Sequence, residues 1–318
     1  MHHLRSWTAG LLLTTLGLSA SWAQTWPTKP VRLVAAFPPG TPGDVIARLI
    51  QPQLQAAWKQ PVVVENKPGA GGNLGAAEVA RATDLHTLLV GPDTILTINP
   101  HVYQKLGFRP REELKPITYF ASFNQMLACH PGAKVGSLSE FLKQGPATDY
   151  ASGGPGSPSH MAMEMLLATG HAKRTHIPYR GPGLAAQDVL AGQVTCGFIV
   201  SPIIAPHVKA GKLTALAVSG QQRSLVLPAV PTVAESGYPG FDATFFETLI
   251  GPANLPPAVV DRIQKDVRSA LTEAAVKAQL LDMDLRVVAN TPLEAAARSA
   301  ADYAKWDEVA RAIKLQLD

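Results

Sequence analysis

The pattern of hydrophobic and polar positions predicts strands that alternate with helices over the first part of the chain. Short apolar runs rich in β-branched residues occur at 31–36, 61–65 and 86–91. Apolar residues at helical spacing follow the first run, and Pro52 is expected to kink or break that helix. This β-α-β-α-β order predicts a parallel sheet with right-handed crossovers.

The same pattern starts again near the middle of the chain. Residues 117–130 are predicted as a long strand with a polar interruption at 122–125, where the chain can cross between two domains. Further strands are predicted to end at Tyr150, Tyr179 and Val200, and residues 212–219 are predicted as a return strand. The turn-rich connector that follows is expected to cross back or to wrap the surface.

Two glycine-rich loops each follow a predicted strand and precede a predicted helix. They read FPPGTPGD from Phe37, where Asp44 is expected to cap the helix, and SGGPGSPS from Ser152. A helix N-terminus offers free backbone N–H groups and the positive end of a dipole. Because ligands of open α/β sheets bind beyond the carboxyl ends of the strands, both loops are predicted to face one small acid. The alternative is that each loop is only a turn.

Three further candidates lie at predicted strand ends. Thr94 is either a ligand donor or a helix cap, and Ser201 is a candidate hydroxyl at the end of a strand. Arg180, beside Tyr179, is either a bidentate clamp for a carboxylate or a solvated surface charge. These positions extend the predicted site beyond the two loops.

The N-terminal residues 1–23 have the features of a secretory signal peptide. A basic start, MHHLRSW, precedes an apolar run from Ala9 to Ala20 and the small residues of Ser21-Trp22-Ala23. The run is shorter than the roughly 20 residues that a spanning helix needs. We expect cleavage after Ala23 and export to the periplasm.

Composition bounds the size, the partners and the redox chemistry of the protein. A length of 318 residues predicts two domains, and a net charge of only +4 argues against nucleic acid as a partner. The two cysteines, Cys129 and Cys196, exclude a zinc cluster and a disulfide framework. They form either a single bridge or two buried thiols.

Enzyme chemistry finds little support in the sequence. The nine histidines include no H-E-x-x-H, and Gly69 to Gly75 has the spacing G-x-G-x-x-x-G, which fits a tight turn better than a dinucleotide site. Ser157 and His160 suggest an exported hydrolase as an alternative, but they lack a G-x-S-x-G elbow and an evident orienting aspartate. We therefore expect a binding protein with no catalytic residue, no cofactor and no metal ligand.

The mature chain resembles the Bug family, the extracytoplasmic solute receptors of tripartite tricarboxylate transporters. The resemblance lies in nine segments in the family's order: WPTKPVRLVAAFPPG, DVIARL, VVVENKPGAGGNLGA, INPHVY, YASGGPGSPSHMAMEML, HIPYRGPG, DVLAGQV, LPAVPTVAESGYPGF and YAKW. It implies an α/β fold of the type II periplasmic-binding-protein kind, with two α/β lobes and a ligand cleft between them. Lobe 1 is expected to comprise 24–122 and 222–318, and lobe 2 to comprise 123–221.

The resemblance also implies the partners and most of the binding residues. The ligand is expected to be a small carboxylate, whether a dicarboxylate, a tricarboxylate, an amino acid or an aromatic acid. The receptor is expected to be a monomer that binds membrane transporter subunits. With Thr94 and Ser201 included, the expected ligand-binding residues are Phe37, Pro38, Gly40, Thr41, Asp44, Gly72, Asn73, Thr94, Ser152, Gly153, Gly156, Ser157, His160, Tyr179, Arg180 and Ser201.

Three positions depart from the family pattern. Thr41 follows Gly40 where the family has paired glycines, and Phe246 stands where tryptophan is common. Glu247 follows where the family usually has an aromatic or neutral residue. If Glu247 faces the cleft, it repels a second carboxylate and favours a ligand with an ammonium group or one acid only. The alternative is a glutamate that faces solvent.

Overall fold

The computed structural model describes residues 26–145 and 148–317. The predicted signal peptide and its cleavage site lie outside these residues. The described chain forms two β-sheets, each with helices packed against it, and we refer to each sheet with its helices as a lobe.

The sheet of the first lobe has six strands in the order β11-β4-β10-β3-β1-β2. The first three strands in sequence are parallel, as predicted, whereas β10 runs antiparallel between β3 and β4. The strands are β1 (Val31–Ala35), β2 (Val62–Asn66), β3 (Thr87–Pro92), β4 (Leu114–Phe123), β10 (Phe245–Pro252) and β11 (Arg286–Val287).

The sheet of the second lobe has five strands in the order β7-β6-β8-β5-β9. Strands β6, β7 and β8 are parallel, and β5 runs antiparallel to β8 and β9. The strands are β5 (Gln125–Cys129), β6 (Asp149–Ser152), β7 (Thr175–Pro178), β8 (Cys196–Val200) and β9 (Thr214–Val218).

The chain crosses from the first sheet to the second at Asn124, which separates β4 from β5. This point lies within the polar interruption that the sequence pattern marks. The return crossing follows β9 through the turn-rich connector and enters β10. The two crossings lie together, because the Ser219 backbone N–H donates to the Gln125 carbonyl oxygen at 2.9 Å.

Twelve α-helices occur among the described residues. In the first lobe they are α1 (Pro42–Trp58), α2 (Asn73–Ala80), α3 (Thr94–Thr97), α4 (Asn99–Val102), α5 (Pro110–Glu113), α10 (Pro257–Thr272), α11 (Ala274–Asp282) and α12 (Pro292–Ile313). In the second lobe they are α6 (Leu138–Lys143), α7 (Pro158–Thr169), α8 (Pro182–Leu190) and α9 (Ser201–Lys209). None of these helices is long and apolar enough to cross a membrane.

Two local expectations change in the structure, and one open alternative is decided. Helix α1 continues through Pro52, which lies on the exposed side of the helix. The missing N–H of the proline leaves one backbone carbonyl without its helical hydrogen bond, and on this side water can reach that carbonyl. Asp44 does not cap α1, because it lies within the first turn and Thr41 holds the cap position. Cys129 and Cys196 are bridged, and they occupy paired positions of β5 and β8.

Candidate functional site

A cavity lies between the two lobes, at the carboxyl ends of β1, β3, β6 and β8. It is narrow in this structure, with about 30 Å³ of free volume. Its walls are mainly apolar. The lining residues are Phe37, Thr41, Pro42, Pro92, Phe123, Gln125, Gly153, Ser157, Pro158, Ser159, Pro182, Val200 and Glu247.

Helix α1 begins at this cavity and is shaped by the loop before it. The Thr41 hydroxyl donates to the Pro38 carbonyl at 2.8 Å, and Asp44 Oδ2 accepts from the Gly40 N–H at 2.9 Å. Asp44 Oδ1 accepts from Arg48 and from Asn66. The Asp44 carboxylate is therefore used to hold the loop, while α1 begins without a side-chain cap on its backbone N–H groups.

Helix α7 begins on the opposite wall of the cavity. The Ser157 hydroxyl caps the helix by accepting from the His160 N–H and donates to the Gly154 carbonyl at 2.6 Å. Ser159 Oγ accepts from the Gly153 N–H at 2.8 Å. These bonds fold the loop tightly. Gly154 adopts φ +114°, and an added Cβ there would lie 2.8 Å from the Tyr179 carbonyl oxygen.

A third helix, α8, also begins at the cavity, where Pro182 is its first residue. It has no side-chain cap. Proline occupies the first position of α1, α7 and α8, where its fixed φ suits a helix and its missing N–H costs nothing. The positive ends of three helix dipoles thus converge on one cavity, which is an arrangement that binds anions.

Glu247 is the ionisable side chain in the cavity wall. It lies on β10 at the centre of the first sheet, opposite Pro92 and Ala121, and is only 4% exposed. Its Oε2 lies near the Gly43 backbone N–H without a well-formed hydrogen bond, and an added Cβ at Gly43 would be 2.6 Å away. Burial, together with the nearby Asp93 carboxyl, raises the pKa of Glu247 to about 8.

Asp93 forms a second buried acid behind the cavity. Its Oδ1 accepts from the Phe246 N–H at 3.1 Å, whereas its Oδ2 has no partner. Burial is the main cause that raises its pKa to about 8, and Arg298 and Lys305 offset part of that rise. The floor of the first lobe therefore concentrates acidic groups.

His160 and Ser157 are not arranged as a nucleophile and its base. His160 Nδ1 lies 3.2 Å from the Gly156 N–H, which donates to it, and Nε2 points toward Glu164. The ring stacks on His176 with 4.1 Å between centroids. Burial, aided by His176, lowers the pKa of His160 to about 3, so its ring is neutral. These contacts give His160 a structural position behind the loop.

The structure brings some of the expected binding residues to the cavity and leaves others outside it. Phe37, Thr41, Gly153 and Ser157 line it. An adjoining, larger pocket is lined by residues of both lobes, among them Phe37, Pro38, Gly72, Gly153, Tyr179 and Arg180. Arg180 is solvent-exposed there. Asp44, Ser152, Gly156 and His160 are buried and hold the loops through hydrogen bonds. Gly40 is exposed and donates its N–H to Asp44.

Three expected residues are not brought to the cavity. Asn73 Oδ1 accepts from the Asn99 amide at 2.7 Å, and Thr94 is completely buried. The Ser201 hydroxyl donates to the Asp284 carboxylate, which belongs to the first lobe. Ser201 therefore links the lobes at the start of α9 rather than lining the cavity.

Several lining residues are not among the expected binding residues. Pro42, Pro158 and Ser159 lie within the two predicted loops, whereas Pro92, Phe123, Gln125, Pro182 and Val200 lie outside them. The sequence leaves the position of Glu247 open, and the apolar run FFETLIGP carries no strand prediction, although every residue of β10 is buried. A single glutamate within such a run is the signal that points to a buried carboxyl group.

Comparison with known proteins places the chain in a family. Residues 46–315 match the model described as "Tripartite tricarboxylate transporter family receptor". The chain is 31% identical to BugT of Bordetella pertussis strain Tohama I over 309 residues, covering 95% of both proteins.

Solved structures agree with this assignment and with the predicted fold. MatC from Rhodopseudomonas palustris with bound malate is 29% identical, with a TM-score of 0.84 over 89% of this chain and 99% of that one. An R. palustris protein with adipate is 26% identical, with a TM-score of 0.86 over 92% and 99%. The predicted two-lobed fold of periplasmic binding proteins is confirmed. The chain belongs to the family of tripartite tricarboxylate transporter receptors, which includes the Bug proteins.

Proposed function

We propose that this protein is a periplasmic receptor that captures a small carboxylate between its lobes and delivers it to the membrane subunits of a tripartite tricarboxylate-type transporter. It acts as a monomer and without turnover, after removal of residues 1–23. The observation that carries the proposal is the convergence of the α1, α7 and α8 N-termini, from both lobes, on one cavity. Related structures with malate and with adipate support a carboxylate ligand.

The proposal includes closure of the lobes on the ligand. The lobes touch at the mouth of the cleft, where the Tyr103 hydroxyl donates to the Pro155 carbonyl at 2.8 Å. Pro38 also lies against Gly181, where an added Cβ would be 2.9 Å from Pro38 Cγ. The lobe boundaries expected near residues 122 and 222 would make the two crossings the hinge.

A thermal-shift screen of the mature protein, refolded to remove carried-over ligand, tests this function. The screen uses mono-, di- and tricarboxylates, amino acids and aromatic acids. A ligand at 100 times its dissociation constant stabilises the protein by about 2.7 kcal/mol, which raises the melting temperature by several degrees. Absence of a shift with every acid would contradict a carboxylate receptor.

A pair of serine variants tests the placement of the site. Ser157→Leu removes the cap of α7 and fills the cavity, so we expect it to abolish the ligand-induced shift. Ser137→Leu is the matched control, because Ser137 caps α6 of the same lobe away from the cavity. Loss of a cap costs about 1 kcal/mol in either variant. If Ser157→Leu binds as tightly as Ser137→Leu, the assigned cavity is wrong.

A further inference from the structure

The polar groups of the cavity are distributed unequally between the two lobes. On the second-lobe side, α7 and α8 present helix N-termini, and the side chains of Ser157 and Ser159 are engaged with their own loop. The first-lobe side carries Glu247, with Asp93 behind it. One side therefore favours negative charge, whereas the other offers no positive charge to balance it.

Glu247 also lies at the N-terminus of α1, the first-lobe helix that begins at the cavity. Its Oε2 lies against Gly43 in the first turn of α1. The protein thus supplies its own carboxyl group at the place where α1 would otherwise attract an anion. The N-termini of α7 and α8 remain for a carboxylate from outside.

Two buried acceptor atoms in the cavity wall lack partners. They are Oε2 of Glu247 and Oε1 of Gln125, whose residues are 4% and 2% exposed. A buried polar atom without a partner costs roughly 1–3 kcal/mol, so a ligand that brings donors recovers that energy. An ammonium group brings three donors and a positive charge.

We propose that the cavity selects small acids with a single carboxylate and an ammonium group, and that Glu247, assisted by Gln125, accepts the ammonium. The carboxylate lies at the N-termini of α7 and α8. A dicarboxylate is disfavoured because its second charge is buried beside Glu247 and Asp93, which supply no compensating positive charge. This inference rests on the proposed function, since it names the class of carboxylate that the receptor takes.

The narrow cavity and its walls limit the ligand further. The walls between the charged ends include the apolar side chains Phe37, Phe123 and Val200. Linear amino acids of three to six carbons are therefore suitable probes. They separate the two charges by a variable apolar chain.

Calorimetric titration with three matched ligand classes tests the inference. The classes are α- and ω-amino acids of three to six carbons, dicarboxylates of four to six carbons, and unsubstituted monocarboxylates of three to six carbons. For the wild-type protein, we expect at least one amino acid to bind about tenfold or more tightly than any dicarboxylate. Glu247→Gln should remove that preference, and Glu308→Gln, at an exposed position of α12, should retain it.

Proton exchange gives a second readout that needs no variant. Asp93 is the ionisable neighbour that acts on Glu247, and Asp93 is in turn influenced by Arg298, Asp302 and Lys305 of α12, while Asp44 of α1 is paired with Arg48. Because Glu247 holds a proton at pH 7, an incoming ammonium should displace up to about one proton. Titrations in buffers of different ionisation enthalpy measure this release.

The outcomes separate the two proposals. A wild-type protein that binds dicarboxylates as tightly as amino acids, or that takes up protons on binding, overturns the ammonium inference and leaves the carboxylate receptor intact. A Glu247→Gln variant that keeps the wild-type preference overturns it as well. If no ligand of any class binds, the proposed function fails, and the inference fails with it.

Discussion

Replacement of Glu247 by glutamine should change how the stability of the protein depends on pH. In the unfolded chain this glutamate titrates near its ordinary pKa of 4.5, whereas in the fold its pKa is raised to about 8. Between these values the folded protein keeps a proton that the unfolded chain has lost. The free energy of unfolding therefore falls as the pH rises, and the decline ends above about pH 8.

The size of this effect follows from the shift. One group with a full difference in protonation contributes about 1.4 kcal/mol per pH unit, which amounts to roughly 2–3 kcal/mol between pH 5 and pH 7. Glutamine has no titrating proton, so the variant loses this contribution. The other titrating groups are shared, so the difference between the two stability curves reports on Glu247 and on its coupling to Asp93.

Urea unfolding of ligand-free protein in half-unit steps from pH 4.5 to pH 8 measures the difference. Intrinsic fluorescence suits this measurement because Trp26, Trp58 and Trp306 all lie in the first lobe, and Trp306 stacks on Phe245. We expect Glu247→Gln to gain stability relative to wild type as the pH rises. Glu308→Gln should follow the wild-type curve. A gap between Glu247→Gln and wild type that stays constant with pH would refute a protonated Glu247.

Three further predictions follow from other contacts. Replacement of both Cys129 and Cys196 by alanine should lower the free energy of unfolding by about 3–4 kcal/mol, because the disulfide closes a loop of 67 residues and restricts the unfolded chain. Equal stabilities of the variant and the wild type under non-reducing conditions would contradict the bridge. Tyr103→Phe removes the hydrogen bond to the Pro155 carbonyl, so ligand dissociation measured by stopped flow should accelerate severalfold. The free energy of unfolding should change by about 1 kcal/mol or less. An unchanged dissociation rate would show that this bond does not hold the lobes closed. Asp284→Ala should destabilise the protein by about 2–4 kcal/mol, because the Asp284 carboxylate accepts hydrogen bonds from the Leu225 N–H and the Ser201 hydroxyl. The Asp284 backbone has φ +62°, which asparagine adopts more readily than alanine, so Asp284→Asn should retain more of the stability. Chemical denaturation that ranks the alanine variant above the asparagine variant would count against this role.

The fold was largely predictable because it depends on local patterns. Apolar runs set β1, β2 and β3, and the polar interruption at 122–125 contains the crossing at Asn124. The capping box of Thr291 and Glu294 is present at the start of α12. In each case, the residues that produce the feature are close together in the sequence.

The candidate site was predictable only in part, for a physical reason. The loops at 37–44 and 152–159 can be identified by their glycine and hydroxyl content, whereas Phe123, Gln125 and Val200 have the pattern of ordinary strand residues. Their position in the cavity depends on the antiparallel pairing of β5 with β8, which brings Gln125 opposite Val200. Similarly, Glu247 is buried because β10 inserts between β3 and β4, and no local pattern encodes that insertion.

The separation of charge between the lobes bears on how closure would select a ligand. A ligand shifts an open–closed equilibrium only by its difference in affinity for the two states. The N-termini of α7 and α8 belong to the second lobe, so an acid with one carboxylate can satisfy them while the lobes are apart. Closure then brings Glu247 of the first lobe against the ligand. A second carboxylate disfavours that step because its charge is then buried without a positive partner, whereas an ammonium group favours it through a contact that exists only when the lobes meet. Discrimination between these ligands should therefore appear mainly in the closing step, so that acids of both classes associate at similar rates and differ in how slowly they dissociate.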